Sequence, residues 1–221
     1  MKRGLVLFGA GDIAEIAHFY FANDSDFEVK AFTVDRDYVR EPTFHGLPVV
    51  PFDELPSAFG PDDCDLFVAI SYAGLNAVRA AKCDAAKQLG YRLPAYVSSR
   101  ATVWPGFVPG ENCFILEDNT VQPFVRIGRD VTLWSGNHIG HHSTIGDHCF
   151  VSSHVVVSGG VTIGDYSFIG VNATIRDHVH IGKNNVIGAG ALILRDTADF
   201  EVYTQAGAEL SKVPSNRLRR L

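Results

Sequence analysis

From Val97 onward, branched apolar residues recur at every sixth position. The series runs Val97, Val103, Ile115, Val121, Ile127, Leu133, Ile139, Ile145, Val151, Val157, Ile163, Ile169, Ile175, Ile181, Ile187 and Ile193. Pro109 is the single break, and no insertion disturbs the register. The next position is often glycine, as at Gly110, Gly128, Gly140, Gly146, Gly164, Gly170, Gly182 and Gly188. The fifth position is mostly small or β-branched: Ser143, Cys149, Val155, Val161, Ser167 and Ala173. A period of six is neither the helical period nor strand alternation. Repeated hexapeptides mark a parallel β-helix. Each hexad supplies one short strand and one corner, with its first residue pointing into the prism. Three hexads close a triangular coil, so residues i and i+18 stack one strand spacing apart, ~4.8 Å.

Upstream, the pattern changes. Gly4 to Phe8 is a continuous apolar run, followed by Gly9-Ala10-Gly11-Asp12-Ile13-Ala14 and then Ile16, Ala17, Tyr20 and Phe21 at helical spacing. Phe27 to Val34 reads as a second strand ending at Asp35. Strand, glycine turn, helix, strand and acid in that order match half of a dinucleotide-binding fold. The glycines let backbone amides approach a phosphate at the helix N-terminus. The same turn also serves a tight strand-to-helix connection, and both readings stand on the motif alone. Prolines 42, 48, 51, 56 and 61 restrict the next stretch to connections and short elements. Asp65 to Ser71 predicts a third strand, Tyr72-Ala73-Gly74 its loop, and Leu75 to Leu89 a helix. The expected division is 1–95 for an α/β domain, 96–200 for the β-helix and 201–221 for a tail that is either a final strand or a short helix. Fewer than 100 residues precede the repeats, too few for the second nucleotide half and the substrate domain of a dehydrogenase. The turn is therefore read as a seat for the diphosphate of another nucleotide.

Composition narrows the picture. The formal net charge is −6, and the one basic cluster is Arg217, Arg219 and Arg220, which argues against nucleic acid as a main partner. No apolar run reaches membrane-spanning length. The four cysteines show no CxxC spacing, and reduced thiols in a cytoplasmic protein are the expectation.

Seven of the nine histidines lie between positions 138 and 180. No histidine has another histidine 18 residues away, so a metal cage within one chain is not expected. His141-His142 stands out, at the third and fourth positions of its hexad and so at a corner facing away from the prism. One coil on, the stacking rule places Gly159-Gly160 beneath the pair. Two absent side chains beside two imidazoles make a shelf on which a small acyl group could rest. A backbone N–H is then available to an oxyanion and an imidazole to an attacking amine or hydroxyl. The plain alternative is a solvated corner with glycines that only permit the turn. Arg129, Asp147, Asp165 and Lys183, spaced by 18, predict a surface charge ladder, and Asn119, Asn137 and Asn185 predict inward amides that satisfy corner backbone.

These marks resemble a known family. Gly9-Ala10-Gly11, the strand ending at Asp35, Ala69-Ile70 with Asn76-x-x-Arg79, the hexads and Ile139-Gly140-His141 are similar to bacterial sugar O-acyltransferases of the hexapeptide class, sialic-acid O-acetyltransferase-like proteins. They are most similar to N-acetyltransferases of nucleotide-linked 4-amino-4,6-dideoxyhexoses, such as bacillosamine and perosamine N-acetyltransferases. The resemblance covers nearly the whole chain. It implies a Rossmann-like nucleotide-sugar domain followed by a left-handed parallel β-helix, assembled as a homotrimer with sites between subunits. It implies acetyl-CoA as co-substrate, no metal, and a role in surface polysaccharide or glycan synthesis. By the same resemblance His141 is the general base, with His142 beside it. Gly159 and Gly160 with Val171 and Ala189 line the acetyl-CoA path, and Gly9, Gly11, Asp35, Arg36, Tyr72 and Asn76 hold the nucleotide-sugar.

Two features depart from those relatives. His142 stands where an acidic residue often follows the histidine, and the loop Ser71–Leu75 is longer than a short Gly-Asn turn. Other readings of the chain are an O-acetyltransferase acting on a sugar hydroxyl, a trimeric β-helix hydratase with metal ligands shared between subunits, and a nucleotide-sugar binder without catalysis.

Overall fold

The structure, a computed structural model, describes residues 2–209 and 217. The N-terminal part alternates strands and helices. β1 (Arg3–Phe8) leads through the glycine turn into α1 (Asp12–Asn23), then β2 (Phe27–Val34), the hairpin β3 (Thr43–Phe44) and β4 (Leu47–Pro51), the single turn α2 (Leu55–Ala58), β5 (Cys64–Val68) and α3 (Ala77–Gln88). The sheet order is β3-β4-β2-β1-β5, with β1 parallel to both neighbours. β1 and β5 are buried throughout or nearly so, which is why they read as unbroken apolar runs. Two sequence expectations shift. The third predicted strand stops at Val68 instead of Ser71. The following helix starts two residues late, because Leu75 and Asn76 take left-handed φ values of 50° and 66°. The tail begins with a strand, Val202–Tyr203, and its remainder at 210–216 and 218–221 lies outside the described residues.

From Tyr96 the chain winds into the left-handed parallel β-helix. Its first face stacks Tyr96–Val97, Phe114–Ile115, Thr132–Leu133, Phe150–Val151, Phe168–Ile169, Val186–Ile187 and Val202–Tyr203. Its second face stacks six strands from Thr102–Val103 through His138–Ile139 to Leu192–Ile193, and its third stacks four from Arg126–Ile127 to His180–Ile181. Pairing is parallel in the predicted register: Ile139 lies opposite Val121 on one side and Val157 on the other. The third face lacks a strand in the first coil, where Pro109 removes a ladder donor, and Val103 stays 37% exposed there.

The prism core consists of the first and fifth hexad positions, nearly all buried. Polar fifth positions serve the corners as expected. The Asn119 amide donates to the Leu116 and Trp134 carbonyls at 2.9 and 2.8 Å, and Asn137 accepts from the Val155 N–H at 2.8 Å. At the fourth position, side chains such as His142, His148, Tyr166 and Asn172 all sit at φ 58°, the left-handed conformation that ends each corner.

The α/β domain packs on the first face. Tyr96, Phe114 and Leu116 of the prism share one cluster with Leu5, Phe21 and Phe67. A buried polar knot adds to the seam. Arg79 Nε, on α3, donates to Asp130 at 2.8 Å. Asp130 also receives the Asn112 amide and the His148 ring, each at 2.8 Å. Arg79, Asp130 and His148 are each at most 2% exposed.

Candidate active site

A cleft of about 480 Å³ lies at the carboxyl ends of β1, β2 and β5, where open α/β sheets hold ligands. Phe8, Gly9, Ala10 and Gly11 form one wall and Asp35, Tyr38 and Arg40 another. Ile70, Ser71, Ala73, Val78 and Lys82 close it. Gly9 is required: its φ is 133°, and a Cβ there would stand 2.5 Å from the Ala69 carbonyl oxygen. Lys82 Nζ donates to Asp35 Oδ1 at 2.7 Å and also lies 5.4 Å from the Phe8 ring centre. The pocket therefore holds an ammonium beside the glycine turn, a suitable partner for phosphate oxygens.

Of the residues assigned to this pocket from sequence, Gly9, Gly11 and Asp35 line it. Arg36 does not. Its guanidinium is drawn outward by Asp53 and Glu54, at 2.7 and 2.6 Å. Asn76 is fully buried at the N-cap of α3, with neither side-chain oxygen nor nitrogen hydrogen-bonded, and so is out of reach of a ligand in the cleft. Tyr72 sits at the mouth, its ring 4.9 and 4.8 Å from those of Phe150 and Phe168 on the prism. That places it beside a second hollow lined by Ile13, Trp134, Ser152, Gly170, Val171 and Ala189. Lys82, Tyr38 and Arg40 were not anticipated. Val78 and Lys82 lie four apart on one helix face, but choosing the face toward the cleft required the sheet order.

The histidine corner is as the stacking rule requires for His141. Its ring lies flat against Gly159: a Cβ on Gly159 would stand 2.6 Å from Cε1, 2.7 Å from Nε2 and 3.1 Å from Nδ1. The Gly159 N–H has no acceptor among the described residues, whereas the equivalent N–H groups of Arg129 and Asp147 are taken by the carboxylate one coil on. That ladder is the predicted one, completed by Lys183 on Asp165 at 2.8 Å. His141 Nδ1 meets His142 Nδ1 at 3.1 Å, and the His142 ring packs at a tilt against Phe124, with ring centres 4.7 Å apart. Gly160 corrects the shelf. Its missing side chain accommodates His178, whose Nδ1 would be 2.5 Å from a Cβ, so each imidazole has its own glycine. Fourth-position side chains lean toward the preceding coil, which places His142 on Phe124 and His178 over Gly160.

The two halves of the candidate site are on different edges. His141 and Gly159 lie where the second face turns into the third. Val171, Ala189 and the mouth of the glycine-turn cleft lie where the first face turns into the second. One chain therefore does not bring its own His141 to its own cleft. Among the described residues no three His, Cys, Asp or Glu side chains converge as a metal-ligand group, and no helix is long and apolar enough to cross a membrane.

Comparison with known proteins agrees with this architecture. The bacterial transferase hexapeptide family (six repeats) matches residues 124–159 and again 160–195. No curated protein sequence matches the chain. Among solved structures, the acetyltransferase domain of PglB from Neisseria gonorrhoeae, in complex with acetyl coenzyme A, is 25% identical. It superposes with a TM-score of 0.81 over 91% of this chain and 96% of that one. PerB from Caulobacter crescentus, in complex with CoA and GDP-perosamine, is 27% identical, with a TM-score of 0.78 over 90% and 92%. A mutant of perosamine N-acetyltransferase from Caulobacter crescentus, bound to the same two ligands, is 25% identical with a TM-score of 0.73 over 90% and 92%. The repeat run thus matches the bacterial transferase hexapeptide family over 124–195, and the chain as a whole, α/β domain included, is similar in structure to these acetyltransferases.

Proposed function

We propose that the protein transfers an acetyl group from acetyl-CoA to the 4-amino group of a nucleotide-linked 4-amino-4,6-dideoxyhexose, for glycan or surface polysaccharide synthesis in the cytoplasm. The observation that carries this reading is the His141 ring lying directly on Gly159. A base and an uncommitted backbone N–H then share one edge of an acyltransferase prism. The ligands named for PglB and PerB support the donor and the acceptor class.

In this reading the glycine-turn cleft holds the nucleotide diphosphate, with Lys82 as its cation and Asp35 toward the ribose. The sugar extends past Tyr72. Because His141 sits on another edge of its own prism, it serves the cleft of a neighbouring copy, and the working unit is the homotrimer. His141 Nε2 accepts a proton from the amine as nitrogen bonds to the acetyl carbonyl carbon. The Gly159 N–H donates to the oxyanion. The C–S bond then breaks, and the proton passes from Nε2 to the departing thiolate. Val171 and Ala189 present small, exposed side chains on the edge beside the cleft, where the pantetheine arm would run.

The test is release of free CoA thiol from acetyl-CoA against UDP-, dTDP- and GDP-linked 4-amino-4,6-dideoxyhexoses. Turnover with one of them is expected. Binding of CoA without turnover on any amino-sugar, but with turnover on a hydroxy-sugar, would replace the N-acetyl assignment by O-acetyl transfer.

A further inference from the structure

We infer that His142 is a positioning residue that sets the tautomer of His141, and that the two imidazoles work as one hydrogen-bonded unit. The inference rests on the proposed role of His141. The contact between the pair joins like atoms, Nδ1 to Nδ1 at 3.1 Å, with the rings edge-on at 86°. A hydrogen bond between two such nitrogens has one proton, so one imidazole donates and the other accepts. For His141 to accept at Nε2, over Gly159, its own proton must be on Nδ1. His142 must then accept at Nδ1 and carry its proton on Nε2.

The surroundings hold His142 in place for this. Its backbone is left-handed at φ 58°, its N–H donates to the Pro123 carbonyl at 3.3 Å, and its ring packs against that of Phe124 at 4.7 Å and a tilt of 40°. The groups facing the pair are Gln122 and Phe124 from the coil before, and Gly159 from the coil after. His178, Arg176 and Asp177 follow one coil further along the edge. Among the described residues no carboxylate pairs with either ring; the two histidines that do meet one are His45 and His148.

The consequence is a gate on proton uptake. When His141 takes the substrate proton, neutral His142 accepts a charge-assisted hydrogen bond from the imidazolium. When a solvent proton instead binds His142, Nδ1 becomes a donor, His141 must accept there, and its remaining proton moves to Nε2. The base is then lost although His141 itself has gained no charge. One proton taken up anywhere in the pair switches the site off.

Asn is the informative replacement. Asn112, Asn172 and Asn184 occupy the same hexad position in the same left-handed conformation, φ 54–58°, so the corner accepts it. Its Oδ1 can accept from His141 Nδ1 but does not titrate. In His142→Asn we expect kcat at high pH within about threefold of the original and an acid limb of kcat displaced to lower pH. In His142→Ala we expect a fall of about tenfold in kcat, the worth of one hydrogen bond, with the KM for acetyl-CoA unchanged. An unmoved acid limb in His142→Asn, or an undiminished kcat in His142→Ala, overturns the inference. A second measurement needs no substrate and so stands apart from the proposed reaction. Imidazole nitrogen NMR, assigned with His141→Asn and His142→Asn, should place the neutral His141 proton on Nδ1 and that of His142 on Nε2. A His141 proton on Nε2 at high pH overturns it equally.

Discussion

The His141 imidazole rests on the Cα of Gly159, with three ring atoms within 3.1 Å of where a Cβ would be. Gly159 is not in the left-handed region, unlike Gly160 at φ 70°, so alanine fits its backbone and only the ring must yield. Gly159→Ala should therefore leave Tm within a few degrees of the original but lower kcat by about 100-fold, the scale of a misplaced catalytic group. Thermal melting alongside initial rates separates the two. Unchanged turnover would remove the corner from the site.

A site divided between edges makes a prediction about mixing. His141→Ala and Lys82→Glu chains should each be inactive alone. Coexpressed and randomly assorted into trimers, they should recover about one quarter of the original sites, since half of the chains supply each intact element. No recovery would place His141 and the cleft in the same chain, against the edge assignment.

The Arg79–Asp130–His148 knot stakes the domain seam on buried charge. Asp130→Asn leaves the Arg79 guanidinium almost fully enclosed without its counter-charge, and breaking such a pair costs about 3–5 kcal/mol. Denaturant unfolding should show that loss. Arg129→Ala, whose partners Asp84 and Asp147 are on the surface, should cost less than about 1 kcal/mol.

Asp24, after α1, clips the α/β domain to the first coil. Hydrogen bonds from Ser99 and Tyr96 lower its pKa to about 2. A carboxylate whose folded pKa is depressed stabilises the fold above its unfolded pKa, near 4, and that contribution disappears as pH falls through about 2. Tm should drop across that window, and Asp24→Asn should start lower at neutral pH and drop less. Parallel curves would show that the clip is not the titrating contact.

The prism was legible because its rule is local and repeats. A branched residue every six positions and a stacking distance of 18 place Ile139 on Val157 and His141 on Gly159 with no knowledge of the rest. Corner residues lean along the axis, so the same arithmetic misassigned Gly160, which meets His178 instead of His142. The glycine turn and Asp35 were likewise written in a short stretch. Arg36 and Asn76 were not, because their placement depends on the surrounding fold: Asp53 and Glu54 turn Arg36 away, and burial at the start of α3 removes the Asn76 side chain from the cleft.

By itself, then, the chain determined which residues face inward, where each coil turns, and that His141 stacks on Gly159, since these follow from neighbours one hexad or one coil apart. Only the tertiary structure decided which face of the prism receives the α/β domain, that Lys82 enters the cleft, and that His141 and the cleft lie on separate edges. Those outcomes depend on how two independently patterned units pack, through contacts such as Arg79 with Asp130 and Tyr72 with Phe150, and no periodicity in either unit encodes them.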